Sequence, residues 1–423
     1  MATDITGQLV DFARLTPPSE AREMMRLSLF DWVACAIAGA REVEFANFVA
    51  VQKASSTGTA QIVGGGSTSA PAAALINGTL SHALDYDDTH FAHIGHPSVA
   101  VVPAVLALAD SLPDAIDAAT TGVEASILVG VWLGRDHYQV GYHQTATAGA
   151  FGATLAAGRL LKLDAKQLRH ALGLCASMAS GVKAQFGTMA KPLNAGLAAR
   201  SGIEAALWAQ AGMTAAHDGL AGPLGFSATH HGGDHDVTLG WKAPQILSIS
   251  HKFHACCHGL HATLEALSGV RLSADQVARI DIRTHPRWMS VCNIAEPQTG
   301  LAAKFSYAQT ASMSVLGHDT RAIKSFSDAI TRDADIITLR NRVHVEADER
   351  LSETQSEVAI SLANGEVQRL RCDLLSPMSL ETRAQKLRSK AAALLGADLA
   401  APLWKVTQGD SLPDLLDLLK GRS

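Results

Sequence analysis

Positive charge is what this 423-residue chain lacks first: 35 lysines and arginines stand against 40 aspartates and glutamates, for a formal charge of −5. No basic block of the kind a phosphate backbone attracts occurs, so no nucleic-acid partner is expected. Aromatic residues are scarce at 5%, and the core must be filled by smaller side chains. Six cysteines, Cys35, Cys175, Cys256, Cys257, Cys292 and Cys372, stand mostly alone in apolar surroundings and form no disulfide framework. The opening "MATDITGQLVDFARL" carries acids where a leader would be basic and then apolar, which makes a reducing, cytoplasmic compartment the expectation. The longest apolar run, "SVAVVPAVLALA" at 98–109, is shorter than the roughly 18 to 20 residues that cross a bilayer, so no membrane partner is expected and the run reads as a buried helix. Phosphate-loop, dinucleotide and Gly-x-Ser-x-Gly signatures are missing too; "GGGST" and "GLAGPLG" have the wrong spacing.

Up to about residue 245 the chain is rich in Ala, Leu and Gly, with apolar residues recurring at three and four, which predicts packed helices. The clearest spans 19–39, after Pro17 and Pro18; others are predicted at 98–110, 148–163, 165–183 and 196–212. Beyond Pro244 the pattern changes to period two in "ARIDIRTH", "RVHVEAD", "EVAISL" and "EVQRLR". The last two are joined through Asn364-Gly365, a hairpin signal because both residues tolerate positive φ. Helical stretches at 259–269, 306–316 and 325–332 lie between these strands, and helical character returns after residue 379. The fold class predicted is mainly α: a large, discontinuous all-helical domain (1–245 with 376–423) and an inserted smaller α+β domain (246–375).

Four segments concentrate the groups that could do chemistry. "LSHALDYDDTHFAHIGHPS" at 80–98 places Asp85, Asp87, Asp88, Thr89 and His96 in a loop after a helix ending near Leu84. The alternative for Asp85 and Asp88 is merely to cap the next helix. "DHYQVGYHQTATAGAFGA" sets His143 before a Gly/Ala helix, where free N–H groups favour an anion. In "GTMAKPLNAGLAAR", Lys191 precedes Pro192 and is predicted to be extended, just outside a helix starting near Asn194. "HKFHACCHGLHATLEAL" supplies Lys252 and invites a metal reading, but adjacent cysteines such as Cys256 and Cys257 chelate poorly, and no metal is expected. Two lysines, two imidazoles and an acid suit a substrate with several carboxylates, held by cations while a histidine moves a proton.

These segments, with "LFDWVACAIAG", "AAALINGTLSHALDYDDTH" followed by "HPS", "YHQTATAGAFGA", "KPLNAGLAARSGIEAA" and "AKFS", resemble the MmgE/PrpD family of dehydratases, decarboxylases and epimerases over nearly the whole chain. The resemblance implies a helical domain with an inserted α+β lid, a homodimer and no cofactor. Carried across by motif, it implies a site of Asp85, Thr89, His96, His143, Lys191 and Lys252. Three positions depart from the decarboxylase pattern and would shape substrate fit: Asn194, Cys257 and Gln309. The implied activity is a lyase, dehydratase- or decarboxylase-type, acting on a small di- or tricarboxylic acid. His96, Lys191, Asp85 and His143 would be catalytic, and Thr89, Lys252, Asn194, Cys257 and Gln309 would bind substrate. An epimerase of a small dicarboxylate and a non-catalytic carboxylate-binding protein remain as alternatives.

Overall fold

In the computed structural model, which describes residues 4–420, the chain is mainly helical. It divides into two compact units: one runs to His251 and resumes at Leu395, the other is Lys252–Leu394.

The first unit is built from helices α1 (Ile5–Phe12), α2 (Ser19–Gly39), α3 (Ala46–Ala54), α4 (Ala70–His82), α5 (Ser98–Leu106), α6 (Leu112–Val140), α7 (Gln144–Leu160), α8 (Ala165–Ala176) and α9 (Ala190–Gln210). Two helices of the C-terminal stretch, Ala397–Gln408 and Leu412–Leu419, complete it. A two-residue hairpin, β1 (Ala60–Gln61) with β2 (Ser67–Thr68), precedes α4. α2 has the bounds its sequence predicts, starting after Pro18 with Glu20 in its first turn, where a negative charge favours the N-terminus.

Scarce aromatics translate into close helix contacts. A Cβ on Gly196 of α9 would sit 2.2 Å from Leu75 O, and one on Gly78 of α4 would sit 2.8 Å from Gly196 Cα, so only hydrogen fits where α4 and α9 cross. Four of the buried rings, Phe12, Trp132, Phe151 and Phe226, share one cluster with Leu155, Leu168 and Leu172.

The structure adds α6, which the sequence pattern leaves undivided because its apolar residues occur on every side. Among the described residues α6 is the one helix whose length and composition would let it cross a membrane, yet 89% of its most apolar 18-residue window is buried inside the protein. The helix axis breaks at Gly134 (φ 76°, ψ −173°), so this is two helices meeting at a kink. Boundaries shift elsewhere: α5 stops at Leu106, α8 at Ala176, and α9 begins at Ala190, upstream of the expected Asn194. Lys191 is therefore helical. Pro192 lies in the first turn, where its missing N–H costs no hydrogen bond, and that outweighs the bias against a helical residue before proline.

In the second unit β3 (Val277–Thr284), β4 (Val343–Ala347), β5 (Gln355–Leu362) and β6 (Val367–Asp373) form a sheet ordered β4-β3-β5-β6. β3 and β4 are parallel; the other pairings are antiparallel. Ile280, Ile282, Val358 and Ile360 face inward at alternate positions. The β5–β6 hairpin turns through Gly365 at φ +91°, while Asn364 keeps negative φ and accepts a hydrogen bond from Glu366 N. Only one of the two turn residues is left-handed, as in a three-residue loop. The helix expected at 325–332 is two short 3₁₀ turns, Ile323–Ser325 and Ile330–Arg332.

Candidate active site

The loop between α4 and α5 holds the acids of the first segment and its histidines other than His82. Asp85 (φ +49°) and Ile94 (φ +53°) both adopt left-handed backbone, which costs on the order of 1–3 kcal/mol for a residue other than glycine and is worst for a β-branched one. The chain reverses at Asp85, whose N–H bonds His82 O at 3.1 Å, and closes on itself through His90 N to Gly95 O at 2.9 Å. Such strain persists where the surroundings over-determine the conformation.

What the loop builds is a buried carboxylate between two imidazoles. His82 Nδ1 donates to Asp87 Oδ1 at 2.8 Å, and His96 Nδ1 donates to Asp87 Oδ2 at 2.7 Å. The His82 and His96 rings meet edge to face, 4.5 Å between centroids. Burial pushes the Asp87 carboxyl up, but the charges and hydrogen bonds of the two histidines outweigh it and hold the group well below the usual range. Burial pulls His96 down to about 4, although Asp87 and Asp85 act the other way, so the ring is neutral near pH 7. The outward side of the ring meets a second acid: His96 Nε2 lies 3.4 Å from Asp85 Oδ1, and that same oxygen is 2.7 Å from Lys191 Nζ. Asp85 is the open member of the chain, with 41% of its side chain exposed.

The start of α7 brings the next group. His143 precedes α7 and stacks near His82, 6.1 Å between centroids. Asn194 Nδ2, from the second turn of α9, lies 3.2 Å from His143 Nδ1. Burial, then the charges of His82, Lys191 and His96, hold His143 well below the usual imidazole range. Phe186 packs edge-on against His143 at 5.0 Å, with Lys191 Nζ 5.5 Å from its ring centre. Thr145 of α7 accepts a hydrogen bond from His96 N at 3.0 Å and so locks the loop to that helix.

Asp85, His96, His143, Lys191 and Asn194 therefore lie together in the first unit. Asp88 takes the capping role that was the alternative reading: it accepts from Ser98 N at 3.3 Å and Ser98 Oγ at 2.5 Å at the start of α5. Its carboxyl is pushed up to about 7, chiefly by burial. Thr89 proves to be a brace. It exchanges backbone hydrogen bonds with Ser250, and its hydroxyl donates to Ser250 O at 3.1 Å, so that proton is spent before any substrate oxygen arrives.

The remaining expected residues belong to the second unit. Lys252 is buried there, near enough for its charge to act on the Cys256 thiol and the His261 ring. Cys257 is half-buried beside Cys292, whose thiol is pushed up by that contact first and by burial second. Gln309 does not match the expectation of a substrate ligand: fully buried, its carboxamide accepts from Arg340 at 2.9 Å and donates to Ile330 O at 3.2 Å. Both ends are committed to holding its own unit together. Tyr307 is equally engaged, bonded to Gly259 O at 2.6 Å and Thr284 at 2.8 Å.

His82 and Asp87 were not assigned roles from the sequence. The signal was present as a third acid and a further histidine within the same stretch, but which acid faces which ring depends on the reversal at Asp85. Among the described residues, His82, Asp87 and His96 are also the one group whose donor atoms, within 4.8 Å of one another, could surround a cation. Their N···O separations of 2.7 and 2.8 Å suit shared protons better, since two ligands about 2.0–2.1 Å from a tetrahedral ion stand roughly 3.3 Å apart. In the second unit, His254 bonds Glu265 at 3.2 Å and Lys386 pairs with the same acid, so that carboxylate is already engaged.

Comparison with known proteins bears on this geometry. The MmgE/PrpD N-terminal domain matches residues 5–238 and the MmgE/PrpD C-terminal domain residues 254–401. A cis-aconitate decarboxylase of Aspergillus terreus is 29% identical over 277 residues, which is 60% of this chain and 56% of the fungal one. The chain thus spans little more than half the length of that relative. The Homo sapiens cis-aconitate decarboxylase is 27% identical over 389 residues, 83% of this chain and 79% of its own, and that of Mus musculus is 26% identical over 390.

Proposed function

This chain belongs to the MmgE/PrpD family, and from that premise we propose that it is a lyase, of decarboxylase or dehydratase type, acting on a small di- or tricarboxylic acid. The observation that carries the reading is the line Asp87, His96, Asp85, Lys191. A buried anion orients an imidazole whose far nitrogen is directed toward a cation-paired, partly open acid.

The chemistry follows from charge. A substrate carboxylate competes with Asp85 for the Lys191 ammonium, a charge-assisted hydrogen bond of the stronger kind. Either loss of carbon dioxide or removal of a proton beside that carboxylate leaves an electron pair on carbon, delocalised as an enediolate. Lys191 offsets that growing negative charge, which in a desolvated site is worth a few kcal/mol per donor. In an elimination His96 Nε2 takes the proton, the imidazolium so formed lies between Asp85 and Asp87, and the β-hydroxyl departs with that proton as water while the carbon–carbon double bond forms. In a decarboxylation Nε2 first takes a proton from solvent, carbon dioxide leaves, and the imidazolium delivers that proton to the carbanion.

The decarboxylase variant has the relatives behind it; Asn194 beside His143 keeps a dehydratase or an epimerase open. Purified protein incubated with cis-aconitate, methylcitrate, citrate and amino-dicarboxylates in deuterium oxide, followed by NMR and ultraviolet absorbance, tests all three. Carbon dioxide release or a new double bond supports the lyase, and deuterium uptake with inversion in recovered starting material supports the epimerase. His96→Ala is expected to lower the active rate by at least about 100-fold. No turnover of any carboxylate by the native protein would leave only a binding role. The homodimer implied by family membership belongs to this proposal as well, and light scattering after size exclusion reads it directly.

A further inference from the structure

We propose that Asp87 and Asn194 hold His96 and His143 in opposite tautomers, so that one imidazole offers the site a lone pair and the other an N–H. Its catalytic meaning rests on the lyase reading above; its geometry does not.

An ionised carboxylate only accepts hydrogen bonds, so the 2.7 Å contact between Asp87 Oδ2 and His96 Nδ1 puts the proton of the neutral ring on Nδ1. Asp85 Oδ1 faces Nε2 at the longer distance of 3.4 Å and is itself paired with Lys191 at 2.7 Å, so the closer Asp87 takes the proton and Nε2 keeps the lone pair. Asp87 does the same to His82 through its other oxygen at 2.8 Å. At His143 the logic inverts. The amide nitrogen of Asn194 carries only hydrogens, so at 3.2 Å the facing Nδ1 must supply the lone pair, and the single proton of that ring sits on Nε2. Both rings are buried and neutral near pH 7, which makes the tautomer, and not the charge, the property that distinguishes them.

The division of labour follows. His96 is the group that exchanges a proton with carbon. His143 donates a hydrogen bond to a substrate oxygen without releasing its proton, as a neutral imidazole does when it polarises a carbonyl. Asp87 and Asn194 are positioning residues: neither needs to touch substrate. Asn194 thereby gains a function at one of the three positions that depart from the decarboxylase pattern.

The test is long-range ¹H–¹⁵N correlation on the full chain labelled with ¹⁵N-histidine at pH 7.5, with His96→Gln and His143→Gln used to identify the two sets of ring signals. The native spectrum is expected to show the ring proton on Nδ1 of His96 and on Nε2 of His143. Asn194→Asp replaces a donor by an acceptor and should move a proton onto His143 Nδ1 while the His96 pattern stays as in the native chain. The same tautomer at both rings in the native protein overturns the proposal, and so does an unchanged His143 pattern in a folded Asn194→Asp. Should that variant not fold, the native spectrum decides alone. Because no substrate is needed, failure here and failure of the lyase reading appear in separate measurements.

Discussion

A carboxylate enclosed by protein stays ionised only if something returns what water would have given it, and Asp87 recovers this from two rings at once. Removing one partner of so buried a group costs several kcal/mol, so Asp87→Leu is expected to be far more destabilising than Asp85→Ala, whose carboxylate is partly hydrated. Urea unfolding of the two variants compares them. Thr89→Val tests the brace: loss of the bond to Ser250 O should lower stability by about 1 kcal/mol and leave the Michaelis constant for whichever carboxylate is turned over unchanged. A rise in that constant would restore Thr89 as a substrate ligand. Asp85, His96, His143 and Lys191 were legible in the sequence because charged groups in an apolar helical background stand out. Thr89 and Gln309 were legible as polar residues in the right segments but not in their partners. A hydroxyl or carboxamide bonds whatever lies within 3 Å, and that neighbour, Ser250 for one and Arg340 for the other, is 161 or 31 residues away.

At the level of elements, the absence of side chains at helix crossings governs how near α4, α7 and α9 come, and α4 and α9 carry His82, Lys191 and Asn194. Gly196→Ala would set a methyl 2.2 Å from Leu75 O. Overpacking of that degree costs about 3 kcal/mol, while the better helix propensity of alanine returns about 1, so a net loss of roughly 2 kcal/mol is expected in chemical denaturation. α2 could be bounded from sequence because two prolines and a glycine bracket a periodic run. α6 could not, since a helix surrounded by others shows no polar face to set a period. α9 was entered too late because proline at a helix start reads as a stop unless the whole first turn is seen.

For the whole molecule the buried histidines set the response to acid. In the first unit His90 and His137 are lowered to about 4, His93 to about 3, and His96 to about 4, each chiefly by burial, and His143 is lowered as well. Between pH 6.5 and 4 the unfolded chain binds protons at these five positions and the native chain does not, so stability falls as pH falls through this window. Asp88 and Glu124, both raised to about 7 by burial, act in the opposite sense, gaining stability as pH drops through 7. His230 and His261 are lowered by burial as well, so the histidines outnumber the two acids and the melting temperature should drop steeply below pH 6. His93→Leu, which removes a fully buried ring, should flatten that slope by about 1.4 kcal/mol per pH unit. The strands beyond residue 245 were legible because period two and period 3.6 are properties of local sequence, whereas the helix Leu380–Leu395, expected with the first unit, falls almost wholly in the second.

One consequence reaches beyond the finished structure. The backbone bridge between Thr89 and Ser250 joins residues 161 apart. Closing so long a loop comes late when a chain assembles, after neighbouring helices have zipped up. The strained turn that carries His96 gains this support only then, so after dilution from urea the far-ultraviolet helical signal should return first and catalytic turnover should lag behind it.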